Sequence, residues 1–334
     1  MQNRHTALIN GINDHRKGYN VLTFITHSPY QSNLATLPHH FYLLKAEAKD
    51  SWTDSCRKVP MNHTIITPED MHNIDFDVVI SQNKTTQFNI ANSFAIRFNI
   101  PLICIEHTLP LTNWPNQVVQ SYKQICSPKS NIFVSEYSAT QWQWDVNDKT
   151  VSIIPHGVDT TLFNNSGALY NDGKVLTAVN AYIERAEWCG FDLYKEVTKG
   201  LPTNPIGDTP GFSKSVASTE ELINTYKNAS VFLNTSLIST FPMALCEAAA
   251  CGTPIVTTSS TAIPEVFSDG IDCWMSNDPQ YLKEKLHWML ENQDKAKEMG
   301  LRARETAEKK LSLKVHLERW DTCIRKVAGS GYEN

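Results

Sequence analysis

The sequence predicts an α/β protein built on two doubly wound parallel sheets. Three observations carry this. Short apolar runs alternate with stretches of helical spacing, which is the β-α-β pattern of a parallel sheet covered by helices. The pattern lapses near residues 151–163 and restarts after residue 170, so it occurs twice. A chain of 334 residues suits two domains of roughly 100–200 residues each.

In the first half, residues 19–26 (YNVLTFIT) read as a strand, 30–37 as a helix and 40–44 (HFYLL) as a second strand. Residues 77–81 (DVVIS), 101–106 (PLICIE) and 131–135 (NIFVS) are further strands, and 86–98 has helical spacing between two of them. In the second half, 174–180 (KVLTAVN), 231–235 (VFLNT), 253–258 (TPIVTT) and 273–276 (CWMS) read as strands. Residues 189–198 and 241–250 read as helices. Ser218 followed by Glu221 is a capping box that starts another. From Pro279 onward the chain is helical and charged. Residues 313–327 carry an amphipathic face of Val315, Leu317, Trp320 and Ile324.

Composition narrows the function classes. Apolar residues are 41% and charged residues 19%, and the formal net charge is −5. Proteins that grip nucleic acid through phosphate neutralisation show a basic stripe, and neither half has one. No apolar run approaches the roughly 18 residues that span a bilayer. The first twenty residues show no hydrophobic signal region, which points to the cytoplasm. The eight cysteines are scattered with no CxxC, as expected of buried or free thiols in a reducing compartment. On that reading the sequons at Asn62 and Asn83 are chance. Asp75-Phe76-Asp77 has the form of a metal-binding DxD, but it sits just before a strand, and no His/Cys cluster has zinc spacing. No metal and no resident cofactor are expected. Walker A and GxGxxG loops are absent.

The most informative stretch is 241–255, FPMALCEAAACGTPI. It reads as a helix with Glu247 in its interior, Gly252 in a left-handed C-terminal turn and Pro254 opening a buried strand. A carboxylate between Cys246 and three alanines is costly unless paired, so Glu247 should face a cleft or a hydroxyl-rich ligand. Glu265 sits at a loop–helix junction. On spacing alone, two ordinary helix glutamates are an equal reading.

Here the chain resembles a family. Asn234-Thr235-Ser236, then FPMALCEAAACGTPIV, then AIPEVFSDG (262–270), is similar to the donor-binding signature of family 4 glycosyltransferases with the GT-B fold. The segment 153–159 (IIPHGVD) with Phe163 resembles that family's inter-domain stretch. Val134-Ser135-Glu136 and 100–107 (IPLICIEH) resemble two of its N-terminal segments. The likeness is strong over 230–275, fair over 98–163 and weak over 1–97 and 174–215.

The resemblance implies two Rossmann-like domains facing across a cleft. Residues 1–155 would bind the acceptor and 156–312 the nucleotide-sugar, while the helix from 313 would cross back to the N-terminal domain. It implies that Glu247 holds the ribose hydroxyls, since a carboxylate accepts two hydrogen bonds from a vicinal diol. The start of the 241–250 helix, with Phe241, Pro242, Met243, Ala244 and Leu245, would face the diphosphate of a UDP-sugar. His107 would meet the donor sugar. Arg185 would offset the leaving diphosphate, with Lys214 as a second cation. His27 and Tyr30, at the mouth of the first sheet, are acceptor-side candidates.

Three departures from the family stand out. Ser239 occupies the place of a carboxylate that touches the donor sugar, Cys189 that of a lysine, and His27-Ser28-Pro29 that of paired glycines. The expected reaction is metal-independent transfer of the sugar to an acceptor hydroxyl, with retention at the anomeric carbon. Alternatives are transfer onto a hydroxymethylated DNA base, a nucleotide-sugar epimerase, or a non-catalytic nucleotide-sugar binder. Trp52, Tyr30, Trp114, Trp142 and Trp144 would then stack bases or simply fill the core.

Overall fold

The computed structural model describes residues 18–25, 28–45, 50–52, 58–82, 86–127 and 129–329. They fall into two units. The first takes the residues up to Val134, 139–154 and those from His316 on; the second takes 135–138 and 155–315.

The first unit is a sheet of seven parallel strands: β1 (Asn20–Phe24), β2 (His40–Leu44), β3 (His63–Ile66), β4 (Val78–Ser81), β5 (Leu102–Glu106), β6 (Ser130–Phe133) and β7 (Val151–Ile153). Their order is β3-β2-β1-β4-β5-β6-β7. β1 and β2 pair in register from Asn20↔His40 to Phe24↔Leu44. Strands buried on both faces must be apolar along their whole length, and β1, β4 and β5 are buried at every position.

The helices are α1 (Ser28–Ser32), α2 (Thr86–Phe98), α3 (Asn116–Cys126) and the second half of α4 (Glu136–Gln141), whose first three residues belong to the second unit. The helix expected over 30–37 is shorter. After α1 the chain tightens into a 3-10 turn and extends at Leu37 (φ −66°, ψ 145°). Pro38 disfavours helical backbone at the residue before it. Strands β3 and β7, at the sheet edges, were not anticipated, nor was α3, which buries only Val119 and Cys126.

Several polar residues of this unit are structural. The Asp77 carboxylate accepts the N–H of Asn20 at 2.7 Å, and Asn20 donates to the Asp75 carbonyl at 2.8 Å, so DFD ties β1 to the segment before β4. The side-chain amide of Asn62 donates to the carbonyls of Leu34, Leu37 and His39. Asn83 lies outside the described residues. Trp52, Trp142 and Trp144 are buried in the core, and Trp114 packs against it.

The second unit has five parallel strands: β8 (Val175–Ala178), β9 (Thr203–Ile206), β10 (Val231–Asn234), β11 (Ile255–Thr257) and β12 (Trp274–Met275), in the order β12-β11-β10-β8-β9. Its helices are α5 (Ala186–Cys189), α6 (Phe191–Val197), α7 (Thr219–Asn228), α8 (Met243–Ala250), α9 (Ile263–Val266), α10 (Pro279–Glu291) and α11 (Gln293–Lys310). The helix expected over 189–198 is broken by Gly190, which is left-handed (φ +71°) and separates α5 from α6.

The capping box at α7 forms with a shift. Ser218 accepts the Glu221 N–H at 3.1 Å, while the Glu221 carboxylate takes the N–H of Ala217 instead of that of Ser218. α8 starts at Met243, after Pro242. Its C-terminal glycine, Gly252, is left-handed (φ +71°) as expected. The last helix, α12 (Leu313–Gly329), leaves the second unit at Val315. Within the first unit, Trp320, Cys323, Ile324 and Val327 pack with Val21, Phe41, Ile103 and Ile132. Among the described residues, no helix is long and apolar enough to cross a membrane.

Candidate active site

In an open parallel sheet, ligands collect outside the carboxyl ends of the strands where the winding direction reverses. In the second unit that point lies between β8 and β10, because β9 is added on one side of β8 and all later strands on the other. The loop after β8 holds Arg185, and the loop after β10 holds Ser239 and leads into α8.

The two loops are bonded to each other. The Trp188 carbonyl accepts the N–H groups of Leu237 (2.8 Å) and Ile238 (3.0 Å), and Thr235 Oγ1 donates to the Cys189 carbonyl at 2.8 Å. Tyr182 bonds the Thr235 hydroxyl through its own. Only glycine fits at 190, since a Cβ there would lie 2.1 Å from the Thr235 carbonyl oxygen. Ser236 is pinned from the other side, where Thr258 and Ser260 donate to its carbonyl. The loop after β9 joins the rim: Ala181 N–H reaches the Asp208 carbonyl at 2.7 Å, and Gly207 N–H reaches that of Lys214 at 3.0 Å.

Arg185 and Lys214 are exposed on this rim, and Ser239 is half-buried. On α8, Leu245, Cys246 and Ala248 to Ala250 are buried, leaving Met243, Ala244 and Glu247 as the open stripe. Spacings of three and four put these residues on one helix face. Glu247 accepts the Tyr226 hydroxyl at 3.0 Å. Burial and the adjacent carboxylate raise the Tyr226 hydroxyl well above the usual phenol range, so it stays a donor. Tyr226 was not anticipated; only the amphipathic spacing of α7 marks it, and that spacing does not separate a partner of Glu247 from a core residue.

Four residues singled out in the sequence take structural places. Phe241 and Leu245 are buried in the core and shape the loop from beneath, and the Leu245 N–H goes to the Pro242 carbonyl. Cys189 is also buried, and desolvation raises its thiol, so its position faces the core. Glu265, on α9, accepts the N–H groups of Glu136 (3.0 Å) and Tyr137 (2.5 Å) at the start of α4. A carboxylate is favoured at a helix start, and its role here is structural. An open groove of about 530 Å³, lined by Asp172, Asn204, Ser218, Glu220, Asn224 and Asn228, runs along α7 and contains none of the expected site residues.

In the first unit the winding reverses between β1 and β4. His107 follows β5, and its Nε2 lies 3.1 Å from Gln82 Oε1, just past β4. The Tyr30 ring meets the His107 ring edge-on at 4.7 Å and that of buried His316 at 5.5 Å. The Tyr30 hydroxyl accepts the Trp320 indole N–H at 3.1 Å. Burial pushes that hydroxyl upward, so it stays protonated. The structure thus brings His107 and Tyr30 together and adds Gln82 and His316. His27 lies outside the described residues.

Comparison with known proteins accords with this layout. Residues 206–306 match the family model of glycosyl transferases group 1. The second unit carries a glycosyl transferases group 1 domain. The matched segment runs from the end of β9 into α11, with Glu247 inside it. An uncharacterized glycosyltransferase of Methanocaldococcus jannaschii is 24% identical over 212 residues, 59% of this chain and 57% of that protein. The chain thus spans little more than half the length of the curated relative it matches. Among solved structures, a glycosyltransferase from Rickettsia africae superposes with a TM-score of 0.74 at 14% identity, covering 93% of this chain and 99% of the other. The Anabaena protein HepE with UDP-glucose gives 0.71 at 13% (91% and 99%). A sucrose-phosphate synthase from Thermosynechococcus elongatus gives 0.73 at 12% (94% and 100%). At such identities the likeness shows the fold alone: the chain, with its two parallel sheets, shares the GT-B fold of these proteins.

Proposed function

We propose that the protein is a retaining, metal-independent glycosyltransferase that moves a sugar from a UDP-sugar to an acceptor hydroxyl. One observation carries this reading: the switch point of the second sheet gathers Arg185, Lys214, Ser239 and the start of α8 on one rim, with Glu247 on the open stripe of that helix. The HepE complexes with UDP and UDP-glucose support a uridine nucleotide as the donor's carrier.

In this reading Glu247, oriented by Tyr226, accepts hydrogen bonds from the ribose diol. Leu245 and Cys246 give their N–H groups to the Pro242 carbonyl, which leaves those of Met243 and Ala244, with the helix dipole, to favour the diphosphate. Arg185 and Lys214 stabilise the negative charge that grows on the leaving group. Ser239 offers one hydrogen bond and no charge where the family has a carboxylate. His107 is assigned to the transferred sugar on the resemblance alone. As the bond from the anomeric carbon to the diphosphate breaks, the departing phosphate oxygen takes the acceptor proton, and the new bond forms on the same face. The protein supplies orientation and charge stabilisation.

The DNA-base alternative loses three of its five stacking residues, because Trp52, Trp142 and Trp144 are buried. The test is nucleotide release from UDP-glucose, UDP-N-acetylglucosamine and GDP-mannose, with and without EDTA. Slow EDTA-resistant release of UDP is expected, together with NMR showing retained configuration in the product. Interconversion of the sugar without release, or no release from any donor, would overturn the reading.

A further inference from the structure

Behind His107 lies a buried chain of hydrogen bonds whose direction is fixed. Thr23 Oγ1 donates to the Ile80 carbonyl at 3.1 Å, which uses its only proton. The same oxygen therefore acts as acceptor for Gln82 Nε2 at 3.0 Å. This settles the Gln82 amide, so the group 3.1 Å from His107 Nε2 is the carbonyl oxygen Oε1. A carbonyl only accepts, so His107 Nε2 must donate to it. Thr23 and Gln82 are both almost fully buried, 1% and 4% exposed, and water does not compete for these bonds. The Tyr30 ring against the imidazole limits rotation about that bond.

The geometry points to Gln82 as a positioning residue that locks neutral His107 in the Nε2–H tautomer and makes Nδ1 the ring's hydrogen-bond acceptor. In the proposed reaction the partner that suits His107 is therefore a hydroxyl, which can donate, rather than a ring or phosphate oxygen, which cannot. The tautomer follows from the bond chain itself, whereas the sugar's part rests on the function proposed above.

The tautomer is read by long-range ¹H–¹⁵N correlation of the imidazole rings in the unliganded full-length protein, at about pH 8.5, two units above the ordinary imidazole value of about 6.5. Loss of a signal set in His107→Asn assigns the ring. The wild type is expected to show the Nε2–H pattern, and an Nδ1–H pattern would overturn the proposal without any variant. Gln82→Met removes the acceptor at similar volume and should leave His107 in a tautomer mixture. Gln82→Glu keeps the acceptor and should restore Nε2–H. An unchanged ring in Gln82→Met would also refute the assignment.

With UDP-glucose as donor, Gln82→Met should lower kcat for UDP release about tenfold, equivalent to about 1.4 kcal/mol, with KM nearly constant. Gln82→Glu should recover most of it. A loss in KM alone would contradict the positioning role. If the wild type releases no UDP at all, the transferase reading fails while the NMR result still decides the tautomer.

Discussion

Replacing Gly190 by alanine should damage the stability and the ligand site of the second unit together. The backbone there is left-handed (φ +71°), and the added Cβ would lie 2.1 Å from the Thr235 carbonyl oxygen. Left-handed backbone costs an L-residue about 1–2 kcal/mol, and forcing extra carbon into a packed position costs about 1–3 kcal/mol. Together these predict a loss of about 2–5 kcal/mol. For a unit of this size 1 kcal/mol is worth about 2–4 °C in Tm, so the transition should fall by about 5–15 °C. Gly200 supplies the control, with φ +86° but nothing within 4 Å of its added Cβ; Gly200→Ala should cost only the backbone share, about 1–2 kcal/mol. Scanning calorimetry of both variants separates clash from backbone strain. The surviving Gly190→Ala protein should also bind UDP-glucose more weakly, because Thr235 begins the loop that carries Ser239. Equal Tm values for the two variants would refute the close approach on which that loop geometry rests.

Other outcomes follow from the same structure. Tyr226→Phe should weaken UDP binding by about tenfold in titration calorimetry, since a hydrogen bond to a charged group is worth about 1.5–3 kcal/mol; unchanged affinity would mean Glu247 needs no orientation. Arg185→Ala should slow UDP release with little change in Tm, because the side chain is exposed; a large fall in Tm would contradict that placement. His39 is buried and held neutral, its pKa lowered to about 4 mainly by desolvation against the pull of Asp321. The unfolded chain binds this proton between about pH 6.5 and 4 and the folded one does not, so stability should fall by about 3 kcal/mol as pH drops through that window. Urea titrations should show this slope, reduced in His39→Gln; a flat profile would contradict it. The seven described cysteines are buried and form no disulfide, and burial raises several of their thiols, Cys251 to about 12. They should resist a thiol reagent until urea is added, and fast reaction of more than one thiol per native chain would show otherwise.

The sequence reveals the central strands because burial on both faces demands apolar runs, as in VVIS and LICIE. Three of the four edge strands, β3, β7 and β9, escape it, while β12 was legible. β3 (HTII) has half-buried residues and a histidine, and β9 (TNPI) contains a proline, so neither has the continuous run or the strict alternation that marks a strand. The break at Gly190 was hidden because a glycine inside helical spacing is ambiguous until the Thr235 carbonyl is seen beside it. In the candidate site, Glu247 was legible as a charge among alanines. Its partner Tyr226 was not, since the bond joins two helices 21 residues apart. Gln82 lay in a polar segment with no periodicity, and only the folded sheet places it beside His107. Cys189 shows the converse, because a family pattern suggested a ligand position where the packing buries the side chain.

The central claim is that Glu247 grips the ribose of a nucleotide. It is tested most directly by titration calorimetry of UDP and 2′,3′-dideoxy-UDP against the wild type and Glu247→Ala, a double-mutant cycle with the ligand as one arm. The account predicts that removing the two hydroxyls weakens wild-type binding at least tenfold and leaves the variant's affinity unchanged. Equal losses in both proteins, or equal affinity of both for UDP, would contradict it.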